Sequence, residues 1–262
     1  MDLSLYLKIV KFNFLVYLTY PLEIAAYIAK YFVRIVFLFV FWNIVAQGAK
    51  YEIDTKELFS YFLLTTSISD ILMNDNTNLG RTIRKAVLRN NISQVLIKPV
   101  RLIGFFYAQT IGMFSLRLIL SCISLIIGLI LNPPQNLVSI FLFILFIIEA
   151  FFISFSYNLF EGALSFVLTE VTGIKNTMHH ITRVLSGQLV PLSFFPETIK
   201  NILLLTPIPI MAYTPVTALK QTEITSEILI QLIVGVVWSV LITFLVLKFW
   251  KKTLKKYDAA GN

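Results

Sequence analysis

Apolar positions run in blocks along this chain instead of alternating. Six blocks approach the roughly 20 residues that a helix needs to cross a bilayer: 31–47, 57–74, 102–131, 137–157, 178–195 and 228–248. The third would be ~45 Å long as a helix, so its first turns should project beyond the hydrocarbon. Between the third and fourth, Asn132-Pro133-Pro134-Gln135-Asn136 cannot continue a helix and predicts a tight turn. Those two blocks therefore predict an antiparallel hairpin.

Two stretches break the pattern. Residues 3–28 are largely apolar, but Lys8, Lys11, Pro21 and Glu23 interrupt them. They predict an amphipathic helix over 1–30 that lies in the interface and elbows into the first span. A further span would invert the charge pattern described below, and no basic n-region with a small-residue cleavage site marks a signal peptide. The second stretch holds Pro191, Pro196, Pro207, Pro209 and Pro215, five of the nine prolines, in otherwise apolar sequence. Proline at that density forbids one continuous helix. Ile199–Leu205 is nevertheless apolar enough to leave water, which predicts a re-entrant helical hairpin over 193–215, before the last span. A structural plug and a gate or substrate-release surface both fit such an element.

Composition supports the blocks. Apolar residues make up 57% of the 262 and charged ones 14%, against roughly 45–50% and about 25% in soluble domains. A soluble globule of this size could not hide that much apolar side chain. The fold class is an all-α integral membrane protein, with no repeat or polar linker dividing 1–262 into separate domains.

Charge orients it. The net +8 is concentrated in the 75–101 loop (Arg81, Arg84, Lys85, Arg89, Lys98, Arg101) and in the tail (Lys248, Lys251, Lys252, Lys255, Lys256). The segments 48–57 and 196–227 carry as many acids as bases, or more. Six spans put the basic loop, both termini and the 249–262 tail on one side, and the positive excess makes that side cytoplasmic. The basic residues thus read as topology signals of a cell (inner or plasma) membrane protein, with no nucleic-acid partner.

Candidate chemistry is sparse. No G-x-x-x-x-G-K-[ST] string is present; Gly173-Ile174-Lys175-Asn176-Thr177 lacks its spacing. His179 and His180 are adjacent and point to different helix faces. With only two His and Cys122, neither a metal site nor an internal disulfide is expected. Serines within spans lack a paired His and Asp, so no enzyme is indicated. Arg117 and Glu149 are the buried ionisable pair: measured from the Pro-Pro turn they lie ~21 and ~18 Å deep on adjacent helices, which predicts an intramembrane ion pair. A snorkelling arginine and a proton- or substrate-handling role stay open. Asp70 and Glu161 read as solvated or capping groups near the inner boundary. In the basic loop, Ile83, Val87, Ile92, Val95 and Leu96 recur at near-helical spacing, predicting a short amphipathic helix. It suits either anionic lipid or a cytoplasmic partner.

The string Ser186-Gly187-Gln188-Leu189-Val190-Pro191-Leu192-Ser193-Phe194-Phe195-Pro196, followed by an apolar helix and Thr206-Pro207, resembles the S-G-x-x-x-P-L-x-x-F-P…P-F signature of ABC-2-type ABC transporter permeases. Asn91–Pro99 is similar to that family's G-D/E-L-x-x-x-L-L-x-R-P stretch, with Asn90-Asn91 in place of Gly-Asp/Glu and Lys98 in place of Arg; Ile208 stands where Phe follows Pro207. Phe41-Trp42 and Tyr61–Leu64 fit the first two spans. The likeness spans almost the whole chain and is closest to small bacterial six-span permeases that resemble daunorubicin-resistance exporters. It implies a permease subunit paired with a second permease, as homodimer or heterodimer, and joined to separate cytoplasmic ATPases that bind Mg-ATP, leaving no cofactor on this chain. It places a coupling helix at Arg81–Lys98, with Arg81, Arg84, Lys85, Val87, Leu88, Arg89, Leu96 and Lys98 as contact residues. It places the gate at Ser186, Gly187, Pro191, Phe195, Pro196 and Pro207. Export of lipids, glycans, peptides or drugs follows from the same likeness. An ion-coupled secondary carrier is the competing function and would favour inverted repeats and midplane polar residues. A lipid-modifying membrane enzyme would need a catalytic constellation.

Overall fold

The computed structural model describes residues 3–48, 54–73, 78–89, 92–96, 100–168 and 172–259, and among them every regular element is helical. In chain order these are α1 (Leu3–Leu18), α2 (Pro21–Gly48), α3 (Thr55–Ile71), α4 (Leu79–Leu88), α5 (Ile92–Leu96), α6 (Leu102–Leu131), α7 (Leu137–Leu164), α8 (Thr172–Leu185), α9 (Glu197–Leu204), α10 (Tyr213–Ala218) and α11 (Ser226–Ala259), with single 3-10 turns at Leu192–Phe194 and Pro209–Met211. Four helices are long and apolar enough to cross a membrane, over Pro21–Val45, Leu102–Leu131, Leu137–Leu164 and Ser226–Lys255.

Several boundaries differ from the sequence expectation. Residues 1–30 do not make one surface helix. The chain breaks at Thr19-Tyr20, and Pro21 opens a single helix that runs through to Gly48; a proline at the first helical position has no donor to lose and a φ already helical. The 31–47 block is thus the C-terminal part of α2. Nor is α1 alone: it lies lengthwise on α6, where Tyr6 meets Gly104, and Val10 and Asn13 meet Gly112 so closely that a Cβ there would collide. The 178–195 block is also shortened. α8 ends at Leu185, and its 14 residues span only ~21 Å. Gly187, at φ +82°, then turns the chain away. At the other extreme, α11 continues as helix through the expected tail.

Contacts define two ends. At one, the Pro-Pro turn is pinned: Gln135 N donates to Leu219 O (3.3 Å) and Asn136 Nδ2 to Thr222 O (2.7 Å). Asn136 also caps α7 reciprocally with Ser139. The ion pair Lys220–Glu57 brings the start of α3 to the same end. At the opposite end, Leu79, Ile83, Ile92, Val95, Phe106, Leu159, Val246 and Trp250 form one core that joins α4 and α5 to α6, α7 and α11. α3 runs between the ends as the most enclosed long element. It carries buried Ser60, Thr65, Thr66, Ser67 and Ser69, small polar residues that let neighbouring backbones approach; Ser60 Oγ donates to Gly128 O at 3.0 Å.

Candidate functional site

Three arrangements concentrate polar chemistry. The first is the seat of α4. Asn78 caps the helix, its Oδ1 accepting from Arg81 N at 2.9 Å. Its Nδ2 donates to Glu161 Oε2 at 2.8 Å, and Glu161 pairs with Lys175 Nζ on α8, also at 2.8 Å. One buried carboxylate thereby ties α4, α7 and α8, so Glu161 is neither solvated nor a cap. The α4–α7 contact is close because glycines face it from both sides: a Cβ on Gly80 would sit 2.7 Å from Asn158 O, and one on Gly162 2.8 Å from Ile83 Cδ1. Thr110 Oγ1 on α6 donates to Thr82 Oγ1 at 2.9 Å.

With its apolar face occupied, α4 presents Lys85, Leu88 and Arg89 to the outside, with Arg81 and Arg84 half-buried beside them. Partial burial, followed by the charges of Arg81 and Arg89, holds the Lys85 ammonium below the ordinary lysine range. Val87, expected on the outer face beside Leu88, packs inward against the core. Leu88 is the apolar residue left outside, 57% exposed. Leu96 closes α5, and Lys98 lies outside the described residues.

The second arrangement surrounds Asp70. Arg34 Nη2 approaches its Oδ2 at 2.7 Å, Arg117 Nη2 its Oδ1 at 2.9 Å, and the Tyr27 hydroxyl donates to Oδ2 at 3.2 Å. The guanidinium groups stand 5.4 Å from the Tyr31 ring centre (Arg34) and 5.5 Å from that of Tyr27 (Arg117). The expected Arg117–Glu149 pair does not form. Rotation about the helix axes separates them: Arg117 faces α2 and α3, whereas Glu149 faces α11. There its carboxylate fills the space above Gly235, where a Cβ would lie 2.6 Å from Cδ, and Oε2 has no hydrogen-bond partner among the described residues. Asp70, read as a boundary residue, is the buried centre. Tyr27, Tyr31 and Arg34 recur at helical i, i+4, i+7 spacing, the signal that could have found them.

The third arrangement is the Ser186–Pro191 turn. Tyr61 Oη donates to Gly187 O at 2.6 Å and Trp42 Nε1 to Leu189 O at 2.7 Å. Tyr213 N donates to Ser186 O at 3.1 Å. Gly187 is required twice over, by its positive φ and because a Cβ would press within 2.9 Å of Leu192 Cδ1, Tyr213 Cβ and Tyr61 Oη. Of the expected gate residues, Ser186, Gly187 and Pro191 are buried in this knot. Phe195 packs beside Leu192, Leu203 and Tyr213, Pro196 is exposed before α9, and Pro207 sits half-buried before the second 3-10 turn.

Among the described residues no group of His, Cys, Asp and Glu is arranged to hold a metal ion. No curated protein matches the sequence. The family model for the ABC-2 family transporter protein matches residues 28–261, so that α1 and the first turns of α2 precede the matched region. A match over that much of the chain, on a helical scaffold with several membrane-length apolar helices, makes it a member of the ABC-2 family of membrane transport proteins.

Proposed function

We propose that the chain is the permease subunit of an ATP-driven exporter, with ATP hydrolysis on a separate cytoplasmic ATPase and a second permease subunit, identical or different, completing the path. Permeases of this family generally work with an ATPase component, which fits a chain without a G-x-x-x-x-G-K-[ST] string. In this reading the α4 end is cytoplasmic, because exposed Lys248, Lys251, Lys252 and Lys255 of α11 gather with the basic face of α4 there. If α3 and the shorter α8 cross beside the four membrane-length helices α2, α6, α7 and α11, six crossings suit that orientation. The segment after Gly187 dips back toward the interior, where Ile210 and Met211 pack among Leu64, Ile68 and Ile153 before α10 returns to Lys220. Such an excursion, packed on protein, is what a re-entrant gate requires. In the same reading α1 is the elbow that braces α6.

The observation that carries the coupling role is α4 itself: a basic, partly apolar face left outside a seat that fixes the rest of the helix. At an interface, a desolvated anchor such as Leu88 typically carries about 2 kcal/mol or more, whereas Arg84, Lys85 and Arg89 steer association. Leu88→Asp should therefore release the ATPase in a pull-down from mild detergent and abolish transport-coupled ATP hydrolysis, with membrane insertion intact. Val87 is unsuitable for the test, since an aspartate there would disturb the core. An ATPase still retained by Leu88→Asp would remove the coupling assignment.

A further inference from the structure

At the end opposite α4, a cavity of about 550 Å3 lies between α9, α10 and the first turns of α11. Its floor is apolar: Phe146, Ala218 and Ile228 belong to one small buried cluster. Its walls carry Glu197, Lys200, Asn201, Gln221, Glu227 and Gln231. Among the described residues, none of these six side chains makes a hydrogen bond or ion pair with the protein, although Glu197 and Lys200 are three apart on one helix and could meet. The neighbouring cavity of about 250 Å3 behaves differently, because its two charges, Glu57 and Lys220, are paired with each other.

Position limits the occupant. Glu227 and Gln231 occupy the opening turns of a membrane-length helix, the level at which an apolar span meets headgroups. Leu205 and Ile230 line the cavity and are 58% and 53% exposed, and Ile202 and Ile233 continue that apolar surface. Trp238 Nε1 donates to Leu205 O at 3.0 Å and holds the end of α9 against α11. The cavity thus has polar walls over an apolar floor and opens onto a surface suited to acyl chains.

Charge limits it further. A simple anion would face Glu197 and Glu227, and a simple cation would face Lys200. A ligand carrying both a phosphate and an ammonium satisfies each side. Carboxylates accept hydrogen bonds from N–H, which a primary ammonium has and a quaternary one lacks. A quaternary group is favoured instead by an aromatic cage, and only Phe146 and Tyr213 are aromatic among the lining residues. We propose that this cavity binds a phospholipid with a phosphoethanolamine headgroup, its phosphate on Lys200 and its ammonium on Glu197 and Glu227, with the acyl chains along Leu205 and Ile230. The proposal needs neither ATPase nor substrate and does not depend on the exporter reading.

Native mass spectrometry of the full chain in detergent tests it, titrating phosphatidylethanolamine, phosphatidylcholine and phosphatidylglycerol in parallel. Charge-assisted hydrogen bonds of this kind correspond to roughly tenfold or more in affinity. The expected result is preferential retention of phosphatidylethanolamine by about that factor, and Lys200→Glu should weaken retention of all three lipids, because all three carry the phosphate. Glu227→Gln should narrow the preference over phosphatidylglycerol, and Lys220→Ala, in the neighbouring cavity, should leave it unchanged. Equal retention of the three lipids, undiminished retention in Lys200→Glu, or an unaltered preference in Glu227→Gln would overturn the assignment. Soluble glycerophosphoethanolamine displacing the lipid at equal concentration would overturn the lipid as the ligand's source.

Discussion

Asp70 and Glu149 are both carboxylates buried on long helices, and the protein accommodates them by opposite means. Asp70 sits at the meeting of α2, α3 and α6, where two arginines and a tyrosine hydroxyl reach it. Glu149 sits at the α7–α11 seam, where Gly235 supplies room and, among the described residues, no cation is paired with it. The first arrangement fixes three helices through charge, and the second fixes two through shape. A buried charge is costly unless paired, so the same residue class makes very different demands at the two places.

The sharpest way to break this contrast is Asp70→Ala. Removing one partner of a buried ion pair typically costs about 3–5 kcal/mol, because the other partner is left uncompensated. The thermal midpoint of the detergent-solubilised chain should fall accordingly, and a loss below about 1 kcal/mol would mean that Asp70 does not organise the cluster. Next comes Gly235→Ala, which drives a methyl group into the Glu149 carboxylate. Overpacking of this kind costs roughly 1–3 kcal/mol, and combining it with Glu149→Ala should restore most of the loss. A double-mutant cycle without coupling would show that the two helices separate freely there. Glu149→Gln should have the smallest effect. It keeps the shape and breaks no ion pair, so stability should change by less than about 1 kcal/mol. A loss as large as that of Asp70→Ala would show that Glu149 depends on a charge partner after all.

What was legible in the sequence follows the same division between length and rotation. α6, α7 and α11 could be read directly, since long uninterrupted apolar runs and the Pro-Pro turn leave few alternatives. α4 was legible as an amphipathic segment, but the inward face of Val87 was not, because which side of a helix meets the core depends on its neighbours. α8 was overextended because Ser186–Phe195 is apolar enough to pass for helix. The positive φ of Gly187 and the bonds to Tyr61, Trp42 and Tyr213 turn the chain there. Arg117 is buried but meets Asp70 instead of Glu149, since distance along a helix fixes one coordinate of a side chain and leaves the angle about the axis free. The family signature located the Ser186–Pro196 region without indicating that Gly187 is locked by a tyrosine from α3.

The glycine contacts at the seat of α4 have a mechanical consequence. Gly80 lies against the backbone of α7 and Gly162 lies under Ile83, with no room for even one added methyl group at either point. A joint without clearance has no backlash. A push delivered to the exposed side of α4 would bear directly on the end of α7 and, through Glu161 and Lys175, on the start of α8. Stroke is conserved across such a joint instead of being absorbed in it. Gly80→Ala or Gly162→Ala would therefore act as a shim, altering the throw of the linkage while leaving its attachment points in place.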